Sequence, residues 1–202
     1  MSTISSIRIT LRTDMQEIWG RIEQWLAIHA PALLADLQPG ASEQVIAETE
    51  ASLGITFSED VRASFRLHNG QVGDGPWMMD GWELLSLQRI CDEWRVWKDL
   101  YDSGDFDGIS STSTDDPIRS DWWSPAWIPL TYSGSGDHHC LDLVPTSGGS
   151  IGQIILMWHD DNTRTLIAPS FRAWLDQFAN DLETEKYTLS TKYSGLMRKE
   201  QG

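Results

Sequence analysis

Three links in the last third of the chain are too short to carry a strand back parallel to its neighbour, and this constrains the fold most. The β-rich segments are Trp127 to Tyr132, His139 to Val144, Gln153 to Trp158 and Thr163 to Ala168. They are joined by Ser133-Gly134-Ser135-Gly136, Pro145-Thr146-Ser147-Gly148-Gly149 and His159-Asp160-Asp161-Asn162, all of them turn chemistry. A parallel crossover needs roughly a dozen residues, so these segments predict an antiparallel meander. Ser170 then caps a final helix carrying Phe171, Trp174, Leu175 and Phe178.

The first half is helical. Thr13-Asp14 followed by Gln16 and Glu17 is a helix start, and Met15, Ile18, Trp19, Ile22, Trp25 and Leu26 recur at helical spacing up to a stop at Pro31. A loop at Gln38-Pro39-Gly40 leads to Ser42, the cap of a second helix with Val45, Ile46 and Leu53, which ends at Gly54. A third helix begins at Ser58, puts Val61, Phe65 and His68 on one face, and ends at Asn69-Gly70. Gln71 to Gly81 reads as loop, Trp82 to Leu85 as a short strand, and Leu87, Ile90, Cys91, Trp94, Trp97 and Leu100 as another helix face. From Tyr101 to Trp123 the periodicity fails, and loops of about twenty residues are functional or mobile.

The whole reads as one α+β domain: N-terminal helices, an antiparallel curved sheet in meander order, and a C-terminal helix. It is expected to occupy residues 14–183, with 1–13 an N-terminal extension and 184–202 a C-terminal tail. Trp19, Ile22, Leu26, Leu53, Phe65, Leu141, Leu143, Phe171 and Trp174 are its expected core. A length of 202 residues fits a single domain. No apolar run approaches the ~18 residues of a membrane span, and the N-terminus lacks the apolar stretch of a secretory signal, so a cytoplasmic protein is expected. With only Cys91 and Cys140, no disulfide scaffold is expected.

Net charge is −15, from 15 basic and 30 acidic residues, which repels phosphate backbones and argues against nucleic-acid binding. No catalytic constellation stands out. His68 has no recognisable Ser or Cys nucleophile and reads as a packing or capping residue. Asp137-His138-His139 could meet His159-Asp160-Asp161 around a metal, but adjacent strand histidines point to opposite faces, and no zinc-type spacing supports the site. Ser103-Gly104-Asp105-Phe106-Asp107-Gly108 partly mimics a calcium loop, yet Ser103 replaces the leading Asp and Thr114 the bidentate Glu. Ser133-Gly134-Ser135-Gly136 lacks the lysine and helix of a phosphate cradle. Neither a cofactor nor a metal is expected. Tryptophan beside carboxylates also fits carbohydrate binding or glycoside hydrolysis, but nothing selects an acid pair.

Gly40, Ile46, Glu50, Leu53-Gly54, Phe57, Asp60 and His68-Asn69-Gly70 resemble the helical half of a known family. Trp127-Ile128-Pro129-Leu130, Gly136-Asp137, Cys140-Leu141-Asp142-Leu143, Gly152-Gln153, Phe171 and Trp174-Leu175 resemble its sheet half. The family is the SUKH superfamily, which includes fungal cell-wall-assembly regulators of glucan synthesis and many bacterial immunity proteins. Ser58 departs from its usual proline, and the Tyr101 to Trp123 loop is longer and more acidic. The resemblance implies a non-catalytic binding domain, read first as an immunity protein neutralising a toxin and alternatively as a scaffold or regulator of cell-wall assembly.

The expected partner is a basic toxin domain encoded nearby, possessing the positive site that a nuclease needs. Asp92 to Asp121 carries nine acids against Arg95, Lys98 and Arg119. The candidate partner-binding residues are Asp102, Asp105, Asp107, Asp115, Asp116 and Asp137, with Trp77, Trp122 and Trp123 as desolvated anchors.

Overall fold

Asp14 opens the first helix, α1 (Met15–His29), its side chain accepting the Glu17 backbone N–H at 2.8 Å. The computed structural model describes residues 14–112, 117–190 and 195–199. Pro31, expected as a stop, instead begins α2 (Pro31–Asp36), where a missing N–H has no helical partner to lose. Leu37–Pro39 (β1) pairs antiparallel with His68–Gln71 (β2), so part of the expected Gln38-Pro39-Gly40 loop is strand. Between them lie α3 (Glu43–Leu53), capped by Ser42 and ended by Gly54 at φ 67°, and α4 (Glu59–Leu67).

His68-Asn69-Gly70 therefore continues into β2 and does not close the helix in a turn. Its roles are distributed over long-range partners. His68 meets Glu23 at 2.5 Å, and the Asn69 side-chain oxygen accepts the Leu87 N–H at 3.0 Å. Gly70 sits at φ 69°, where a Cβ would stand 2.4 Å from the Leu85 carbonyl carbon.

The remaining elements are β3 (Glu83–Leu84), α5 (Leu87–Asp102), β4 (Trp127–Pro129), β5 (Thr131–Tyr132), β6 (His138–Asp142), β7 (Gln153–Met157) and β8 (Arg164–Ala168). After them come α6 (Phe171–Glu183), β9 (Tyr187–Ser190) and β10 (Gly195–Arg198). The main sheet has the order β4-β6-β7-β8 with every neighbouring pair antiparallel, as the short links require. Pro129 is tolerated because β4 is the edge strand. The expected Trp127 to Tyr132 strand divides at Leu130, its second part pairing with β3.

Side chains alternate across a strand, and here both faces are covered. Ile128, Leu141 and Ile154 join the main core with α1, α4 and α6, whereas Trp127, Cys140, Ile155 and Met157 join a second cluster with Trp97, Ile118 and Trp123. The expected core is buried except for Leu143, which is half-buried just beyond β6. The segment from residue 184, expected as a tail, carries the β9–β10 hairpin and contributes buried Tyr187 and Leu196 to the main core. No helix among the described residues is long and apolar enough to cross a membrane.

Candidate partner-binding surface

The candidate face is built on α5 and the chain that follows it. Ser86 caps α5 by accepting the Arg89 N–H, and Leu87, Ile90, Cys91 and Trp97 turn inward. The outer side carries Val96, Asp99 and Leu100. Val96 and Leu100 lie four residues apart and so share a face. After α5, Ser103 donates to the Leu100 carbonyl and to Asp105, and Gly104 takes φ 84°. Phe106 returns to α5 with its ring 5.7 Å from that of Trp97.

On either side of residues 113–116 the acidic loop is stitched down. Ser110 bridges to Asp121 and Thr112 to Thr163, and the Thr112 N–H donates to the Asn162 carbonyl at 2.7 Å. Asp102 is exposed and pairs with Lys98 at 2.5 Å; Asp105 and Asp107 are exposed. Among the described residues no ion pair forms at Asp99, Asp105 or Asp107. Asp115 and Asp116 lie outside the described residues.

Two of the expected contact residues belong elsewhere. Trp123 is only 2% exposed and packs against Trp94, Trp97 and Tyr101, so it is a core residue and no anchor. Asp137 is buried beside the β5–β6 turn, accepting from Ser133 and Ser135 hydroxyls and from both the backbone and ring N–H of His159. Burial disfavours its charge, but those donors prevail and hold the carboxyl below its ordinary value. Trp77 and Trp122 are half-buried. Trp77 lies along the Gly134 turn, and Trp122 has the Arg164 guanidinium over its ring at 5.2 Å.

The exposed apolar groups of this face are not among the expected contact residues. Val96 is 57% exposed, Ile109 49%, Tyr101 46% and Leu100 38%. Their one signal was Val96, an apolar residue off the stripe that faces the core. Leu100, expected on that stripe, faces outward near the C-terminal end of α5.

The histidine loops do converge, since ligand atoms of Asp137, His159 and Asp160 lie within 4.8 Å of one another. His138 and His139 are spent in the interior. The His138 Nδ1–H donates to the Thr131 carbonyl at 2.6 Å while Nε2 accepts from Trp97 Nε1 at 3.1 Å, and His139 Nδ1 meets the Thr131 hydroxyl. Burial pushes both imidazoles down to about 4, so they are neutral at physiological pH. Both cysteines are buried, with thiols pushed up by desolvation, and stay protonated at neutral pH.

The sequence profile of the SMI1 / KNR4 family (SUKH-1) matches residues 40–177, about two thirds of the chain. The chain belongs to that family. The SUKH-1 domain is 26% identical over 217 residues to a glucan synthesis regulatory protein of Neurospora crassa, covering 90% of this chain and 41% of that one. It is 27% identical over 206 residues to the cell wall assembly regulator SMI1 of Saccharomyces cerevisiae, covering 85% and 41%. With the cell wall biosynthesis/cell cycle regulator smi1 of Schizosaccharomyces pombe it shares 29% over 200 residues, covering 93% and 40%. The chain thus spans about two fifths of the length of these relatives, which are named as regulators and not as enzymes.

Several residues that carry the SUKH-1 resemblance hold the fold. Glu50 accepts the Phe57 N–H at 2.8 Å and pairs with Arg62 at 2.6 Å. Asp60 binds Arg172 of α6. A Cβ on Gly40 would fall 1.8 Å from the Arg66 carbonyl oxygen.

Proposed function

We propose that this chain is a non-catalytic protein-binding domain acting in the regulation of cell-wall assembly, and that its partner docks on the face formed by α5 and residues 103–109. The observation that carries this reading is an exposed apolar set, Val96, Leu100, Tyr101 and Ile109, interspersed with Asp99, Asp102, Asp105 and Asp107. Carboxylates of this kind accelerate encounter with a basic partner, toward ~10⁸–10⁹ M⁻¹s⁻¹ at low salt, while desolvated apolar groups slow its release. The names of the relatives support the cell-wall setting. The immunity reading has the acidic charge in its favour, since a basic toxin would be complementary, but the names of the three relatives given above do not add to it.

The test is a chimera in which this chain replaces the matching segment of the Saccharomyces cerevisiae regulator, with wall glucan as the readout. The chimera is expected to give the same wall glucan level as the intact regulator, with the deletion strain as the baseline. A folded chimera carrying Val96→Asp and Leu100→Asp is expected to fail. Equal restoration by both, or none by either at normal protein levels, would count against the proposal.

A further inference from the structure

A cleft of about 380 Å³ opens between the second half of α1 and the β9–β10 hairpin, a size typical of small-ligand sites at roughly 300–1,000 Å³. Among the described residues, none that lines it falls within the 40–177 span of the family match, and none belongs to the acidic face. On α1, Trp25 and His29 stack with ring centroids 4.4 Å apart and planes 19° from parallel, giving the cleft a flat aromatic wall. His29 Nδ1 lies 2.9 Å from the Trp25 carbonyl oxygen. A carbonyl only accepts, so Nδ1 carries the hydrogen. The hairpin side supplies a carboxylate (Glu185), a hydroxyl (Thr188) and an ammonium (Lys199).

A second observation points to the same place. Glu185 follows α6 with φ 56°, its N–H donating to the Leu182 carbonyl and that of Lys186 to Asp181. This is the left-handed helix-terminating position that glycine normally fills. The chain holds a carboxylate at the cleft wall in a conformation that strains any residue with a Cβ, and such strain concentrates at binding sites.

The charges select the ligand class. Among the described residues, Glu185 and Lys199 make the lining formally neutral in a chain of net charge −15. An anion is disfavoured by the overall field, and the pairing of one carboxylate with one ammonium leaves no local excess charge to select a cation. What fits is a neutral, hydroxyl-rich molecule with one apolar side for the aromatic wall and hydroxyls for acceptor and donor groups together. We propose that this cleft is a binding site for a neutral saccharide.

The experiment is isothermal titration of the full chain with cellobiose, laminaribiose, maltose and chitobiose. At least one is expected to bind saturably, with affinity falling about tenfold or more in Glu185→Gly and in Lys199→Ala, a difference well resolved by calorimetry. Glu185→Gly relieves the backbone strain, so its loss of binding would not reflect unfolding. No saturable binding of any of the four sugars, or affinity unchanged in both variants, would overturn the proposal. Because these residues lie outside the acidic face, either result leaves the glucan readout of the chimera to be judged separately.

Discussion

Trp97 and Trp123 stack with ring centroids 6.3 Å apart and planes 19° from parallel, fastening the acidic loop to α5. Trp97 also donates its indole N–H to His138 in the main sheet, so loop, helix and sheet form one connected stack. Trp123→Ala is therefore expected to lower stability by ~3–5 kcal/mol, the cost of a buried aromatic truncation. Trp122→Ala, at a half-buried ring, is expected to cost roughly 1–2 kcal/mol. Urea unfolding monitored by circular dichroism separates the two; equal midpoints would contradict the burial difference.

Gly70 and Gly54 both take positive φ, at 69° and 67°, but only Gly70 is also crowded by backbone. Gly54→Ala is expected to cost about 1 kcal/mol, the conformational penalty alone. Gly70→Ala must in addition move the Leu85–Ser86 peptide, which leads into the start of α5, so its cost is expected to be several-fold greater. Comparing the unfolding midpoints of the two variants tests this, and similar values would show that the Leu85 peptide yields freely.

What the sequence disclosed were features decided by neighbours along the chain. The helix start at Thr13-Asp14, the caps at Ser42 and Ser170 and the meander follow from local turn and capping chemistry; the structure puts the first cap at Asp14 and has each of the others. The misses are decided by distant contacts. β2 exists because His68–Gln71 meets Leu37–Pro39, a pairing no local period announces. Trp122 and Trp123 are adjacent and chemically alike, yet one lies under Arg164 and the other inside an aromatic cluster. Tyr187 and Leu196 belong to the core through a hairpin whose strands are only four residues each, too short to show a clear period. At the candidate face the acids were legible because exposure is their default. Its apolar members were not, because exposed Val96 and Leu100 run against the helix pattern.

Arg164 is 1% exposed and donates to the carbonyls of Trp122 at 2.7 Å, Asp161 at 2.7 Å and Thr163 at 2.8 Å. Burial pushes its pKa down to about 10, which still leaves it charged at neutral pH. Arg164→Lys keeps the charge but not the planar fork that reaches carbonyls on two segments. It is expected to cost about 2 kcal/mol or more, as buried carbonyls lose their donors. It should also release the Trp122 segment, seen as faster proteolysis between residues 112 and 123. Unchanged stability and proteolysis would mean that Arg164 does not tether this segment.

His138 and His139 set the expected pH dependence. Desolvation lowers both to about 4 in the folded protein, against ~6.5 for an unfolded histidine. Between these values the unfolded chain binds protons that the native chain refuses, so stability rises with pH. It is fully present above about pH 6.5 and is lost as pH falls toward 4, at up to ~1.4 kcal/mol per pH unit for each histidine. Asp142 and Glu93 act in the opposite sense, because burial raises their carboxyls above the ordinary range. The histidine effect is read from about pH 5.5 to 6.5, the upper part of the interval between the folded and unfolded histidine values. Urea midpoints are expected to climb across that interval and to level off above it, with a shallower climb in His138→Gln. A wild-type midpoint that stays flat from pH 5.5 to 7.5 would show that neither imidazole is held neutral by the core.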